Sequence, residues 1–397
     1  MEELLDLSNR LINKVSLGFK RYLYTQINWH SRLIGIKGAR GTGKTTLLLQ
    51  KLKELGLPTR ETAYFSLDEM YFTANSLLET AKTFYLQGGK ILVLDEVHKY
   101  PTWAKEIKNL YDRYEDLQII FTGSSIIDIA KQEGDLSRRA LMYELKGMSY
   151  REYLHFQHQL DLPVITLKQL IDPSFNPIAH FPKDFKPLTW FKDYLQFGYY
   201  PFYKNDVLNY HQLLRQLVRT IVEYDMAELK GFDIRHAKKM LQLLYVISQQ
   251  VPFKPNINSL AQKTGIHRNS INNYLYFLQE ARLLFLLHQN GFSTAILQKP
   301  EKIFAENTNL LYALSEATPS EGTIRETFFN NQLQVNHKVQ HSPETDFIID
   351  GLYSFEIGGK NKSGKQIANL DKAWVVKADL EYPAGSALPL WIFGFLY

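Results

Sequence analysis

The segment Gly38-Ala39-Arg40-Gly41-Thr42-Gly43-Lys44-Thr45 sets glycines, a lysine and a threonine at the spacing G-x-x-x-x-G-K-[ST]. Glycine there lets the backbone curl through turns that a Cβ would block, so that successive amide N–H groups point inward as an anion nest. Lys44 is expected to reach the β- and γ-phosphates of ATP and the Thr45 hydroxyl to ligate Mg²⁺, with Thr46 completing the binding stretch. The run Leu33-Ile34-Gly35-Ile36 ahead of the loop reads as a strand and Thr46-Leu47-Leu48-Leu49 after it as a helix, whose positive dipole end favours a phosphate.

Asp95-Glu96 follows four apolar residues, Ile91-Leu92-Val93-Leu94. Asp95 is expected to hold Mg²⁺ directly or through water, and Glu96 to orient and deprotonate an attacking water, which points to hydrolysis rather than transfer to a small acceptor. Ser124 or Ser125, at the end of the next strand, either bonds the γ-phosphate or the water, or is an ordinary turn residue. An arginine of the pair Arg138-Arg139 either stabilises charge on the transferred phosphoryl group, in cis or across a subunit boundary, or faces solvent. His98 has no second histidine at ligand spacing and reads as structural rather than as a nucleotide sensor. No Asn-Lys-x-Asp guanine motif is present, so a GTPase is disfavoured.

These groups need a frame that gathers strand ends. Strands are expected at 63–67, 91–94, 117–121 and 141–145, alternating with helices after the loop lysine, from Ser76 to Leu86 and from Trp103 to about Tyr114. Apolar strands alternating with helices predict an α/β fold, a parallel sheet with helices on both faces and ligands at the carboxyl ends of the strands. Residues 1–30 read as a helix or two, and Tyr22, Tyr24 and Trp29 as core aromatics rather than an adenine pocket.

The chain of 397 residues is long enough for two to four domains. It has no cysteine, which excludes disulfides and thiolate metal sites and suits a reducing cytoplasm. The acidic start Met1-Glu2-Glu3 is unlike a signal peptide, and no apolar run approaches a membrane span, so a cytoplasmic protein without membrane contact is expected. The net charge of +5 is too small to argue for nucleic acid, but residues 251–300 hold Lys254, Lys263, Arg268, Arg282 and Lys299 against Glu280 alone.

Several stretches together resemble the prokaryotic AAA-type P-loop ATPases that carry a C-terminal domain of unknown function. They are the loop at 38–46, Tyr64-Phe65-Ser66-Leu67-Asp68, Leu94-Asp95-Glu96-Val97-His98 with Lys99-Tyr100-Pro101-Thr102-Trp103, Thr122-Gly123-Ser124-Ser125 and Met148-Ser149-Tyr150-Arg151-Glu152-Tyr153. In that family the loop before the last ATPase strand usually reads Gly-Arg-Ala. Here it reads Arg138-Arg139-Ala140, so Arg139 inherits the arginine's role while the glycine is absent. The resemblance implies an ATPase domain over 1–148, a helical linker over 149–235, a winged-helix unit over 236–300 and a restriction-endonuclease-like α/β domain over 301–397.

The residues of the C-terminal half have their own reading. Ser259 to Ile266 followed by His267 to Tyr274 suits a helix-turn-helix with Gly265 in the turn, whose second helix would show Arg268, Asn269, Asn272 and Asn273 outward to phosphates and base edges of double-stranded DNA. A plain protein-interaction module is the alternative. Strands are expected near 333–339, 345–349, 353–357, 373–376 and 388–395. Asp346 and Glu356 then lie on adjacent strands with Glu326 on the helix before, an arrangement able to bind Mg²⁺ and activate water for phosphodiester cleavage. The resembling nuclease pattern requires Glu-x-Lys, but Gly358 stands in the lysine's place and only Lys360 or Lys362 is near enough to replace it.

The sequence therefore predicts an Mg²⁺-dependent ATPase acting as a nucleotide-driven switch or motor on DNA. Its rivals are a signalling ATPase that binds a protein partner through its C-terminal half, and an ATP-regulated nuclease; the expected partners are ATP, double-stranded DNA, and a protein partner or a homo-oligomer.

Overall fold

The computed structural model describes residues 1–123, 136, 138–226, 235–288, 299–359, 362 and 364–397, residue 235 by its backbone alone. The chain forms two compact units, Met1–Gly147 and Met148–Tyr397. Among the described residues no helix is long and apolar enough to cross a membrane.

The first unit is built on five parallel strands: β1 (Leu33–Lys37), β2 (Thr62–Ser66), β3 (Ile91–Asp95), β4 (Gln118–Gly123) and β5 (Leu141–Glu144), in the order β2-β3-β4-β1-β5. Side chains alternate between the faces of a strand, and in β1 and β3 residues of both parities are buried, so both faces of the sheet are covered. On one face Phe65, Leu94 and Phe121 pack with Leu77 and Phe84 of the helix Leu77–Leu86 and with Trp103, Ile107 and Leu110 of the helix Trp103–Arg113. Helix Glu2–Lys14 adds Leu4 to that core. The order puts β4 between β1, which feeds the phosphate loop, and β3, which ends in Asp95.

The second unit begins with helices Tyr150–His158, Phe191–Phe197 and Tyr210–Thr220. Tyr150 meets the rings of Phe191, Tyr194 and Phe395 at centroid separations of 5.1, 5.3 and 5.9 Å. Next come helices Arg235–Ser248, Ile257–Thr264 and Arg268–Glu280 and an antiparallel ribbon of β6 (Leu284–Leu287) and β7 (Lys302–Ala305). Helix Glu321–Leu333 then packs on a second five-stranded sheet in the order β12-β11-β10-β9-β8. Its strands are β8 (Val339–His341), β9 (Phe347–Ile349), β10 (Tyr353–Gly358), β11 (Ala373–Lys377) and β12 (Ala387–Pro389). Strands β10, β11 and β12 run parallel, whereas β8 and β9 are antiparallel.

Two expected strands differ here. Leu333 ends a helix whose last six residues, Phe328 to Leu333, are all buried, the polar Asn330, Asn331 and Gln332 included, so polarity there does not mark an exposed helical face, and the strand begins only at Val339. The strand expected at 388–395 stops at Pro389, which lacks an N–H for the ladder, and Leu390–Phe395 continues as a buried 3₁₀ helix.

Candidate nucleotide site

β1 stops at Lys37 and helix Lys44–Leu55 starts seven residues later, with Gly43 as its N-cap at φ 95° in the left-handed region. Gly38 has no room for a side chain, since a Cβ there would lie 2.3 Å from the Leu145 carbonyl oxygen at the exit of β5. Within the loop the Thr42 hydroxyl donates to the Ala39 carbonyl at 2.9 Å, and the Lys44 ammonium donates to the Gly38 and Ala39 carbonyls at 3.0 Å each. Lys44 is nearly buried, whereas Thr46, on the first turn of the helix, is exposed. Arg40 and Gly41 are partly exposed.

The acidic strand end meets this loop. The Thr45 hydroxyl donates to Asp95 Oδ2 at 2.6 Å, so residues separated by fifty positions share one point at the carboxyl edge of the sheet. Two further hydroxyls converge there. Tyr64 donates to Asp95 Oδ2 at 2.7 Å, and Thr122 donates to Asp95 Oδ1. Burial, with the Asp95 charge beside it, pushes the Tyr64 hydroxyl far above its ordinary titration range, so it stays protonated and remains a donor. A carboxylate beside a hydroxyl is the all-oxygen donor set that suits Mg²⁺, so Thr45 and Asp95 fit that ion by chemistry.

Glu96 holds a left-handed backbone at φ 52°, a conformation unfavourable for a non-glycine residue and of the kind that a surrounding site enforces. Its carboxylate lies 3.4 Å from Nε2 of His98, whose side chain is wholly buried.

Arg139 lies elsewhere. It makes a two-pronged ion pair with Asp112, at 2.8 Å from Nε and 3.0 Å from Nη2, near the end of helix Trp103–Arg113. It precedes β5, whose Leu141 pairs with Ile34 at the start of β1. All five strands run parallel, so Arg139 is at the amino edge of the sheet and the phosphate loop at the opposite edge, which removes the in-cis alternative. Ser124 and Ser125 lie outside the described residues, and so does Lys360. Tyr22 and Tyr24 are buried, and the Tyr24 ring leans on Trp29 at 5.4 Å, which agrees with a core role.

In the second unit Arg268, Asn269 and Asn273 are exposed on helix Arg268–Glu280, while Asn272 is half-buried. Glu326, Asp346 and Glu356 do come together, but with lysines among them. Lys302 Nζ stands 3.3 Å from Glu326 and 3.7 Å from Asp346, and Lys362 Nζ contacts Glu356. The stem of Lys362 occupies the space a side chain at 358 would need, its Cβ lying 2.4 Å from the point where a Gly358 Cβ would be. Burial, and then the Asp346 and Glu356 charges, raise the Glu326 carboxyl above its ordinary value despite Lys302.

Sequence reading missed Tyr64 and Thr122 as members of the site. Their signal lay in register. Leu94 pairs with Phe121, so Asp95 falls beside Thr122, and Ser66 pairs with Asp95, which puts Tyr64 on the diagonal within reach of a long side chain.

Residues 30–154 match the family model described as an AAA domain, and residues 188–321 match a domain of unknown function (DUF8612). The segment matched to the AAA domain includes the phosphate loop, Asp95, Glu96 and Thr122. The chain is 28% identical over 292 residues to the uncharacterized protein MJ1637 of Methanocaldococcus jannaschii, an alignment spanning 70% of this chain and 61% of that protein. To the uncharacterized protein MJ1544 of the same organism it is 24% identical over 370 residues, covering 85% of this chain and 78% of the relative. Among solved structures, AMPPCP-bound DnaA from Aquifex aeolicus aligns at 15% identity over 70% of this chain and 89% of that one, with a TM-score of 0.29.

Proposed function

We propose that the protein is an Mg²⁺-dependent ATPase whose nucleotide state drives or switches an action on double-stranded DNA. The observation that carries the reading is the Thr45 to Asp95 hydrogen bond of 2.6 Å, which joins the anion-binding loop to an acidic strand end. The loop amides from Gly38 to Gly43 and the Lys44 ammonium bind and orient the triphosphate. Thr45 and Asp95 would hold Mg²⁺, which when bound neutralises charge on the β- and γ-phosphates. Glu96 takes the proton of the attacking water, with His98 holding its carboxylate in place. Arg139 serves a phosphate only across a subunit boundary, which requires a homo-oligomer and release of Asp112. Lys44→Ala and Glu96→Gln are each expected to abolish steady-state hydrolysis in a phosphate-release assay, and undiminished turnover in both would remove the proposal.

The DNA part rests on the second unit. Helices Arg235–Ser248, Ile257–Thr264 and Arg268–Glu280 with the β6-β7 ribbon would make up the winged helix, and the exposed Arg268, Asn269 and Asn273 lie on the helix that would enter a groove. Duplex DNA that neither binds in a salt-dependent manner nor changes ATP turnover would favour a protein partner instead.

A further inference from the structure

Arg21 precedes the phosphate loop by seventeen residues and belongs to no motif in it, yet it is a cation only 5% exposed to solvent. Charge so deeply buried is retained only where it is well bonded. One guanidinium nitrogen donates to the main-chain carbonyl of Thr42 inside the phosphate loop. Another donates to the carbonyl of Lys146, just past β5, at 2.7 Å. The neighbouring Tyr22 fastens the same exit, its hydroxyl donating to the Glu144 carbonyl at 3.2 Å and accepting from the Lys146 amide at 3.3 Å. The base of the loop already rests on this exit, where the Leu145 amide donates to the Lys37 carbonyl at 2.8 Å.

We infer that Arg21 is a positioning residue for the phosphate loop, a buried clamp that sets the peptide plane between Thr42 and Gly43 so that the Gly43 N–H faces a bound phosphate. The inference rests on the ATP-site reading above. In a trans peptide the carbonyl and the following N–H point in opposite directions, so a donor that fixes the Thr42 carbonyl on the outer side of the loop turns the Gly43 N–H to the inner side. Gly43, at φ 95°, has no side-chain bulk to hold that plane by itself. The fork of one guanidinium spans two carbonyls, one on the loop and one on the β5 exit, which a lysine ammonium does less well. The positive charge under the nest also favours the anion.

The test is titration calorimetry of the full chain with ATP and Mg²⁺, with turnover measured in parallel. The unmodified protein is expected to bind. Arg21→Ala is expected to weaken binding about tenfold or more, the effect of losing a charged hydrogen bond, with KM raised more than kcat is lowered. Arg21→Lys is expected to recover part of the affinity. Hydrogen exchange at Gly43 should slow on ATP addition in the parent and slow less in Arg21→Ala, with the β4 amides unchanged between the two. A folded Arg21→Ala that binds ATP like the parent overturns the inference. If Arg21→Ala fails to fold, Arg21→Lys and Arg21→Gln decide: parental affinity in both overturns it, and weaker binding in both, with Lys better than Gln, supports it. A parent that takes up no ATP overturns the nucleotide reading itself and this inference with it, an outcome distinct from parental binding in the variants.

Discussion

Asp95 in the first unit and Glu356 in the second are both nearly sealed from solvent, at 1% and 4% exposure, but their partners differ in kind. Asp95 is held by the hydroxyls of Thr45, Tyr64 and Thr122, all neutral, so its orientation is fixed and its charge remains to attract a cation. Glu356 is held by the Lys362 ammonium, while Lys302 stands between Glu326 and Asp346. There two lysines of the chain itself offset most of the carboxylate charge. A carboxylate kept by neutral donors is preorganised for a metal ion, whereas one kept by a lysine must first lose that partner. A cluster of acidic residues alone therefore does not distinguish a metal site from an internal ion-pair network.

The comparison breaks most visibly at the carboxylates themselves. Asp95→Asn is expected to lower ATP turnover by about a hundredfold or more, the scale of removing one electrostatic element from a phosphoryl-transfer site. Asp346→Asn should leave turnover within about twofold, on that same scale. Equal losses in the two variants, measured by steady-state phosphate release, would end the contrast.

Removing a lysine sharpens the other side. Lys362→Met leaves the buried Glu356 without its ammonium and is expected to cost on the order of 1–3 kcal/mol of stability, below the full price of breaking a buried pair because Lys362 is 30% exposed. Denaturant unfolding measures it, and an unchanged midpoint would show that the pair contributes nothing.

A smaller effect is expected at the hydroxyls. Tyr64→Phe and Thr122→Val each delete one donor to Asp95, which should weaken the dependence of turnover on Mg²⁺ by about tenfold, about 1.5 kcal/mol for a hydrogen bond to a charged acceptor. A magnesium titration of activity identical to that of the parent would refute the role assigned to them.

The smallest effect concerns pH. The folded state raises the Glu326 carboxyl above its unfolded value, so between the two values the folded chain holds a proton there that the unfolded chain has released. That stabilising contribution is complete below the ordinary carboxyl value and is lost as pH rises through the raised one. Glu326→Gln, which mimics the protonated form, should raise the thermal midpoint above the carboxyl range, with the advantage disappearing toward acid. Melts across that range check the sign, and a gain largest in acid would contradict it.

What the sequence determined by itself was local. The loop from Gly38 to Thr45 and the run ending at Asp95-Glu96 were legible because each function depends on neighbours in the chain: glycines that permit a curl, and apolar residues that force a buried strand to stop at a carboxylate. The same logic failed at Leu333 and at 390–395, where burial on every side erased the period that separates helix from strand. Tertiary structure decided which groups meet. Tyr64 and Thr122 joined Asp95 through strand register, Arg139 was placed at the far edge by the parallel order of the sheet, and Lys362 filled the space above Gly358. Arg21 reached the loop only because the chain returns to β5 beside it. The physical reason is that backbone conformation is set over a few residues, whereas the charge and hydrogen-bond partners of a buried group are set by whatever the packed chain brings within about 3 Å of it.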